Sequence, residues 1–257
     1  MRRIGVFLAV VSMLLLAMPV VAQEEGPPAN LSIGYHIVVQ QGHGAQFEEG
    51  LQAHRDWHAA QNDTWRWDVW QLVVGERLGR YVTISGGHRW ADFDNYPVDE
   101  AADAYNCAQT AGPHVASEDS WMDGMSIRGS RPPENPPGEG AIADVIDHTI
   151  KPGKGQDFWN AVHRFTEAAN QSNWPARYVF LTAEAGGQGN VATLVVFHSN
   201  WAGMGEGEPS PSAREMLVAA IGEEEADKLF EAFGDSHEST TTTIWRYRAD
   251  LSYIPGQ

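Results

Sequence analysis

Residues 42–47 read Gly-His-Gly-Ala-Gln-Phe, and residues 153–158 read Gly-Lys-Gly-Gln-Asp-Phe, with the glycines and the phenylalanine repeated 111 positions further along the chain. At the same offset Trp90-Ala91 coincides with Trp201-Ala202, and no gap is needed between the two matches. Few letters are identical, but strand-like and helix-like stretches follow in the same order in both halves. Self-similarity at a fixed spacing is typical of a repeated structural unit. The sequence therefore predicts two tandem copies of one fold.

Each half reads as strand, helix, strand, strand, helix, strand. The helices show apolar residues at steps of three and four, and the strands are short runs rich in β-branched and aromatic residues. This order is that of the ferredoxin-like unit, which places both helices on one face of a four-stranded antiparallel sheet. The predicted strands are 31–40, 67–74, 80–86 and 121–128, then 141–151, 178–185, 190–198 and 240–247; the predicted helices are 45–61, 98–109, 156–171 and 212–233.

A proline- and glycine-rich segment separates the two halves, because GSRPPENPPGEG cannot form a helix or a central strand. A ferredoxin-like sheet leaves one face bare, and a bare face that carries tryptophan must be covered. The simplest cover is the other copy. We therefore predict an α+β fold in which two antiparallel sheets pack face to face as an intramolecular barrel, a pseudo-dimer within one chain. The predicted segments are a first repeat at 31–128, the linker at 129–140, a second repeat at 141–249, a disordered segment at 23–30 and a C-terminal tail at 250–257.

The turn Gly-x-x-x-x-Phe that opens the first helix of each half resembles the dimeric α+β barrel superfamily. Within that superfamily, the stretch PGKGQDFWNAV and the later Trp-Ala pair are similar to NIPSNAP-like and antibiotic-monooxygenase-like domains. The resemblance implies the barrel fold for nearly the whole chain after residue 30. Members of the superfamily include haem-binding and haem-degrading proteins, cofactor-free monooxygenases and isomerases, so the fold by itself does not indicate one function.

The first residues are predicted to be a secretory signal peptide at 1–22. Arg2 and Arg3 precede an almost wholly apolar run from Ile4 to Val21, and small residues end it at Ala22. The alternative is a retained membrane anchor, since the run is just long enough to span a bilayer. The cleavage signal favours a secreted or periplasmic protein without stable membrane insertion after cleavage.

The net charge of −17 excludes some partners. Such an acidic surface is repelled by phosphate backbones and by anionic lipid, so we expect no nucleic-acid partner. Cys107 is the single cysteine, and the chain therefore has no internal disulfide. We expect Cys107 to be a buried small residue on the second helix rather than a nucleophile.

His54 and His58 are the candidate metal ligands, because residues four apart on a helix share one face. Their counterparts at the repeat offset are Phe165 and Ala169, which are packing residues. The repeat therefore favours half-buried, hydrogen-bonded histidines over a metal pair. The same asymmetry indicates that the first half holds any site.

Four histidines on predicted strands are candidates to line a ligand pocket, as acid, base or metal ligand. Since alternate strand residues face opposite sides and His148 aligns with Ile37, His36 and His148 are predicted to face opposite ways. Hydrogen-bonded histidines at strand ends are the alternative. The four are His36, His88, His148 and His198.

Aromatic residues are dense in the hairpin of the first half. Trp67 is predicted to share a face with Gln71, whereas Trp70 faces the other side. These side chains, with Tyr81, form either a pocket for a planar apolar ligand or a core between two sheets, and the core is favoured.

No strong catalytic motif is present, so the sequence favours a secreted protein that binds a small hydrophobic or aromatic ligand and needs no cofactor. The alternative is an enzyme of monooxygenase or haem-handling type, with haem or a metal ion bound.

Overall fold

The computed structural model describes residues 28–76, 78–207 and 209–256. The predicted signal peptide at 1–22 lies outside them. The first half contains β1 (Leu31–Val39), α1 (Gly44–Ala60), β2 (Asp68–Val74), β3 (Arg80–His88), a 3-10 turn (Trp90–Asn95), α2 (Glu100–Gln109), a second 3-10 turn (Gly112–His114) and β4 (Val115–Met125). The second half contains β5 (Ile142–Ile150), α3 (Gly155–Gln171), β6 (Tyr178–Ala185), β7 (Val191–His198), α4 (Trp201–Gly205), α5 (Ala213–Ile221), α6 (Glu223–Ser236) and β8 (His237–Tyr247).

The two halves follow the same course. At an offset of 111, β1 and β5 have the same bounds residue for residue, and so do α1 and α3. The predicted order of strand, helix, strand, strand, helix, strand is confirmed in each half. Several bounds differ from prediction, and two of the differences are large. β4 begins six residues earlier than the predicted 121, and the long helix at 212–233 is two helices, because Gly222 has a φ of 84° that helical residues do not adopt.

The eight strands form one closed antiparallel barrel in the order β1-β3-β2-β8-β5-β7-β6-β4. Each half contributes a four-stranded sheet, and the two sheets join through β2 with β8 and through β4 with β6. The α+β fold class is confirmed, and the two predicted sheets are hydrogen-bonded into one barrel rather than only stacked. Closure leaves no unpaired strand edge among these eight strands.

The inside of the barrel is filled by large side chains from both halves. Trp70 lies there beside Tyr247 and Phe197, with ring centroids 5.2 and 6.3 Å away. Trp121 also points inward and crosses the barrel over Gly34, its partner on β1. A Cβ atom at Gly34 would come within 2.5 Å of the Trp121 ring, so glycine is required at this crossing.

The helices cover the outside of the barrel, and the cover differs between the halves. Under α3, α5 and α6 an apolar cluster around Phe158, Met216 and Leu217 is closely packed and almost fully buried. Under α1 the corresponding cluster around Phe47 and Leu51 is smaller. Within the described residues, no helix is both long and apolar enough to cross a bilayer.

The predicted linker and the predicted C-terminal tail are both anchored to the barrel. In the linker, Arg131 is buried and exchanges backbone hydrogen bonds with Tyr178. In the C-terminal segment, Tyr253 exchanges backbone hydrogen bonds with Trp67, and Leu251 is 1% exposed. The C-terminal residues therefore extend the wall of the first half.

The crossing of Trp121 over Gly34 provides a test of the packed interior. Trp121 is held by a 2.6 Å hydrogen bond to Asp123 and by a contact with His36, so it cannot move away at low cost. We expect Gly34→Ala to lower the free energy of unfolding by about 1–3 kcal/mol. The matched control is Gly234→Ala on α6, where an added Cβ meets no atom within 4 Å and helix propensity should raise stability slightly. Chemical denaturation measures both, and equal stability of the two variants would contradict this packing.

Candidate functional site

A cavity of about 670 Å³ lies outside the barrel, between the sheet of the first half and its helices. Its volume falls in the range of about 300–1,000 Å³ that is common for small-molecule sites. The walls are mainly apolar and aromatic. The lining side chains from the sheet and the covering turn include Ile33, Tyr35, Ile37, Trp65, Trp67, Val69, Phe93 and Tyr96.

The cavity lies beside a helix, α1, that carries polar side chains at two positions where α3 carries apolar ones. Phe47 and Leu51 are buried like their counterparts Phe158 and Val162. One and two turns further on, α1 presents His54 and His58, whereas α3 presents Phe165 and Ala169, which belong to the apolar cluster. The second half is thus filled where the first half is open and polar.

His58 is held by a buried carboxylate. Asn62, with a φ of 55°, reverses the chain after α1 and brings Asp63 back under the helix. The Asp63 carboxylate is 2% exposed and accepts hydrogen bonds from His58 Nδ1 at 2.8 Å, from Trp67 Nε1 at 3.2 Å and from the backbone of Trp65 at 2.8 Å. A carboxylate held by these donors acts as an acceptor, so His58 carries its proton on Nδ1.

His54 is oriented in the same way by the second helix. Asp99 caps the N-terminus of α2 by accepting from the backbone of Ala102, and α2 then runs alongside α1. Asn106 Oδ1 accepts a 2.9 Å hydrogen bond from His54 Nδ1. An amide oxygen can only accept, so His54 also carries its proton on Nδ1, and burial lowers the pKa of this ring, which favours its neutral form.

Asp103 completes the group one turn before Asn106 on α2. Its Oδ2 atom accepts a 2.8 Å hydrogen bond from the Tyr96 hydroxyl, which leaves Oδ1 facing the histidines. Burial and this carboxylate raise the pKa of Tyr96, so the phenol keeps its proton. The turn that carries Phe93 and the following Tyr96 also closes one side of the cavity.

The three remaining atoms face one another. His54 Nε2 lies 3.3 Å from His58 Nε2 and 3.3 Å from Asp103 Oδ1, and His58 Nε2 lies 3.5 Å from Asp103 Oδ1. With one proton on each ring, at Nδ1, these three atoms face one another as lone-pair acceptors, and either a shared metal ion or one further proton on a ring satisfies them. A point about 2 Å from all three atoms exists, which matches metal–nitrogen and metal–oxygen bond lengths.

His54, His58 and Asp103 line the cavity, so an ion held by these three residues would be accessible to a cavity ligand. Two histidines and one carboxylate with open positions are the donor set of non-haem iron oxygenases and of catalytic zinc sites. Asp63, Asn106 and Tyr96 supply the outer hydrogen bonds that fix ligand orientation in such sites. The arrangement therefore suits one divalent ion that a cavity ligand can reach.

The other predicted pocket residues are distributed over both faces of the barrel. Trp67 lies in the cavity wall. His36 points into the barrel, 4.1 Å from the Trp121 ring, so its placement in a ligand pocket is corrected: the barrel interior is packed. His88 lies on the outer face, stacked 3.8 Å from Trp65 and bonded to Ser85, outside the cavity lining.

The two histidines of the second half also lie outside the cavity. His148 points outward, so the prediction that it faces opposite to His36 is confirmed, but the helices of its own half cover it. His198 bonds to Asp144 at 3.1 Å on the outer face of β5 and β7. Neither reaches a common site with the first half, because the barrel wall lies between them.

Gln71 and Tyr81 belong to a hydrogen-bonded network rather than to the cavity lining. The Tyr81 hydroxyl donates to Glu48 on α1 and accepts from Gln71 at 2.8 Å. Arg248 binds both oxygens of the Glu48 carboxylate. Within this network, the pairing of Glu48 with Arg248 ties α1 to the segment after β8, independently of the Tyr81 hydroxyl.

Sequence reasoning missed Asp63, Tyr96, Asp103 and Asn106. Asp103 and Asn106 lie three apart on the predicted helix 98–109, so a polar pair on one helical face was a usable signal. Cys107, expected as a buried residue, is half-buried in the cavity lining, and burial raises the pKa of its thiol to about 11, which keeps it protonated.

The scan against protein-family models and the search of curated proteins returned no match. Solved structures do match. A "putative monooxygenase" from Lactobacillus acidophilus NCFM has a TM-score of 0.55 at 9% identity, covering 88% of this chain and 97% of that chain. An anthrone oxidase-like protein has a TM-score of 0.51 at 10% identity, covering 89% and 94%. A haem-binding protein from Thermus thermophilus has a TM-score of 0.46 at 11% identity, covering 87% and 94%.

These matches show that the chain shares the dimeric α+β barrel fold, as the sequence resemblance implied. At such low identity they show the fold alone. The NIPSNAP-like resemblance and the tandem duplication stay predictions. The expectation that the protein needs no cofactor stays a prediction as well.

Haem, the cofactor of the predicted alternative function, fits the cavity residues poorly. An axial histidine must present a free nitrogen to the iron, whereas the Nε2 atoms of His54 and His58 converge on each other and on Asp103. Haem propionates are negatively charged and need cationic partners. The cavity lining instead presents two carboxylates, Glu100 and Glu118, that form no ion pair within the described residues and would repel a propionate. Its arginine, Arg55, already bonds to Asp56. The donor set fits a single ion instead.

His148 provides a test of the filled second half. Its ring is 6% exposed among Phe158, Phe233 and His237, and neither nitrogen has a hydrogen-bond partner in the described structure. Burial, with a smaller contribution from His237, lowers the pKa of His148 to about 4. The unfolded chain takes up this proton near pH 6.5 and the folded chain only near pH 4, so stability falls as the pH drops between these values.

We expect His148→Leu to remove up to about 3 kcal/mol of this pH dependence. The measurement is denaturant unfolding of both proteins at intervals from pH 7 to pH 4. The wild-type curve should fall more steeply than that of the variant. Parallel curves would contradict a buried, neutral His148.

Proposed function

We propose that the protein is a metal-dependent oxygenase that binds a small aromatic or apolar molecule in the cavity of its first half. One divalent ion would be held by His54, His58 and Asp103. The observation that carries the proposal is the convergence of His54 Nε2, His58 Nε2 and Asp103 Oδ1, within 3.5 Å of one another, on the cavity wall. The monooxygenase-type alternative is thereby preferred over a binding protein without catalysis.

The reaction class follows from the donor set and the cavity. An iron ion held by two histidines and one carboxylate activates dioxygen when bound. Its remaining coordination positions are open to a further ligand. In monooxygenation one oxygen atom enters the substrate and the other leaves as water, with two electrons from a reductant such as ascorbate. The "putative monooxygenase" and anthrone oxidase-like neighbours support this class by fold.

The chain's own residues would bind the substrate and orient the metal ligands. Trp67, Phe93 and Val69 offer apolar surface to the substrate and exclude water from the ion. Asp63 and Asn106 keep the two imidazoles in the tautomer that frees Nε2. Tyr96 donates a hydrogen bond to one oxygen of the Asp103 carboxylate, so the other oxygen would face the ion.

Titration calorimetry of the purified protein with zinc tests the site directly. We expect one ion per chain. His54→Ala and Asp103→Ala should weaken binding by more than about 100-fold, and Asp63→Asn by about 10- to 100-fold, because it disturbs only the orientation of His58. The control is His163→Ala on α3, whose ring lies in the second half and bonds to Ser126. Equal zinc affinity of all variants would contradict the site.

Oxygen consumption tests the activity. Iron-loaded protein with ascorbate should consume oxygen faster when a naphthol is added, and His54→Ala loaded in the same way should show only the background of free iron. If zinc binds as expected but no aromatic compound of a naphthol panel stimulates consumption, the oxygenase proposal fails. The cavity would then be that of a metal-containing binding protein.

We also propose that the protein acts after export, in the periplasm or outside the cell. The basic start, apolar run and small-residue cleavage signal of residues 1–22 support this. Intact-mass measurement of the protein from a secreting host should give a chain that begins at Gln23. A mass that retains residues 1–22 would contradict cleavage.

A further inference from the structure

Tyr35 stands at the centre of β1 and points into the cavity from the sheet side. It lies on the same face of the strand as Ile33 and Ile37, which also line the cavity. Its ring centroid is 6.2 Å from that of Trp67. The sheet wall around it also carries apolar side chains and two polar ones, Thr83 on β3 and Glu118 on β4.

The hydroxyl of Tyr35 differs from those of the other two tyrosines that line the cavity. Tyr96 donates to Asp103 at 2.8 Å, and Tyr253 donates to the backbone carbonyl of Asp63 at 2.7 Å. Tyr35 makes no hydrogen bond with any residue that the structure describes. A phenol that is partly buried and unpaired is costly unless a ligand or water completes its hydrogen bonding.

The hydroxyl lies within electrostatic reach of Glu118 on the neighbouring strand β4 and of Asp103 on the opposite wall. Burial and the charges of Glu118 and Asp103 raise the pKa of Tyr35, so it is a protonated donor at neutral pH. Asp103 belongs to the group of three proposed metal ligands. A ligand that fills the space between sheet and helices therefore meets the Tyr35 hydroxyl on one side and the metal ligands on the other.

We propose that Tyr35 is the residue that orients the cavity ligand, by donating a hydrogen bond from its hydroxyl to an acceptor oxygen of an aromatic molecule. This inference rests on the proposed function, since it assigns the placement of the ligand at that site. It narrows the ligand class from any apolar molecule to an aromatic one with a carbonyl or hydroxyl oxygen. It also distinguishes a binding role from a packing role, because phenylalanine preserves the ring contact with Trp67.

The test compares Tyr35→Phe with the matched control Tyr81→Phe, whose hydroxyl is committed to Glu48 and lies outside the cavity. The probes are methyl naphthyl ketone and isopropylnaphthalene, which have similar shapes but differ in the acceptor oxygen. Binding is titrated to zinc-loaded protein and to metal-free protein by quenching of tryptophan fluorescence. Zinc binding of each variant is measured in parallel by calorimetry.

We expect Tyr35→Phe to weaken ketone binding by about 5- to 10-fold, the usual loss for one hydrogen bond, and to change hydrocarbon binding by less than about twofold. Tyr81→Phe should leave the ratio of the two affinities unchanged. An unchanged ratio in Tyr35→Phe, an equal loss in Tyr81→Phe, or a wild type that binds neither probe would overturn the inference.

The outcome separates this inference from the proposed function. If wild type fails to bind zinc yet Tyr35→Phe still loses ketone affinity in the metal-free protein, the metal site fails and the role of Tyr35 stands. If zinc binds with the expected variant effects and the ketone preference does not depend on Tyr35, the metal site stands and this inference fails.

Discussion

Closure of the barrel decides where a ligand-sized space can exist in this molecule. The strand pairs β2–β8 and β4–β6 join the two halves, so each half supplies the hydrogen-bond partners that the edge strands of the other require. Closure also forces tryptophan, phenylalanine and tyrosine side chains from both halves into one interior. Because that interior is packed, the cavity of the first half lies outside the barrel wall, beneath the helices.

The two halves then use the same outer layer differently. In the second half, Phe165 and Ala169 on α3 contribute to a packed cluster with α5 and α6. In the first half the same helix positions are His54 and His58, and the space that packing would fill is the cavity. A polar group at such a position needs partners, and Asp63, Asn106 and Asp103 supply them. The two positions of α1 that correspond to apolar packing residues of α3 therefore carry the oriented polar cluster instead.

The architecture could be predicted from sequence because it rests on local periodicity and on an order of strands and helices that follows residues 42–47 in the same way as it follows residues 153–158. Alternation along strands also predicted that His36 and His148 face opposite ways. The site was harder to predict. The comparison of His54 and His58 with Phe165 and Ala169 favoured half-buried, hydrogen-bonded histidines over a metal pair, but corresponding positions of the two halves share a backbone and not a side-chain environment. Asp103 reaches the histidines only through the packing of α2 on α1, which no spacing along the chain encodes. The positions of Tyr81 and Tyr35 in the sequence likewise could not show that the Tyr81 hydroxyl donates a hydrogen bond to Glu48, whereas the Tyr35 hydroxyl has no hydrogen bond with the described residues.

Anomalous scattering from crystals grown or soaked with cobalt or zinc would locate the ion at the level of single atoms. We predict a strong peak bonded at about 2.0–2.2 Å to His54 Nε2, His58 Nε2 and Asp103 Oδ1, with an open side toward the cavity. A map in which the ion binds elsewhere on the chain, or in which these three atoms are separated by water without an ion, would contradict the proposed site.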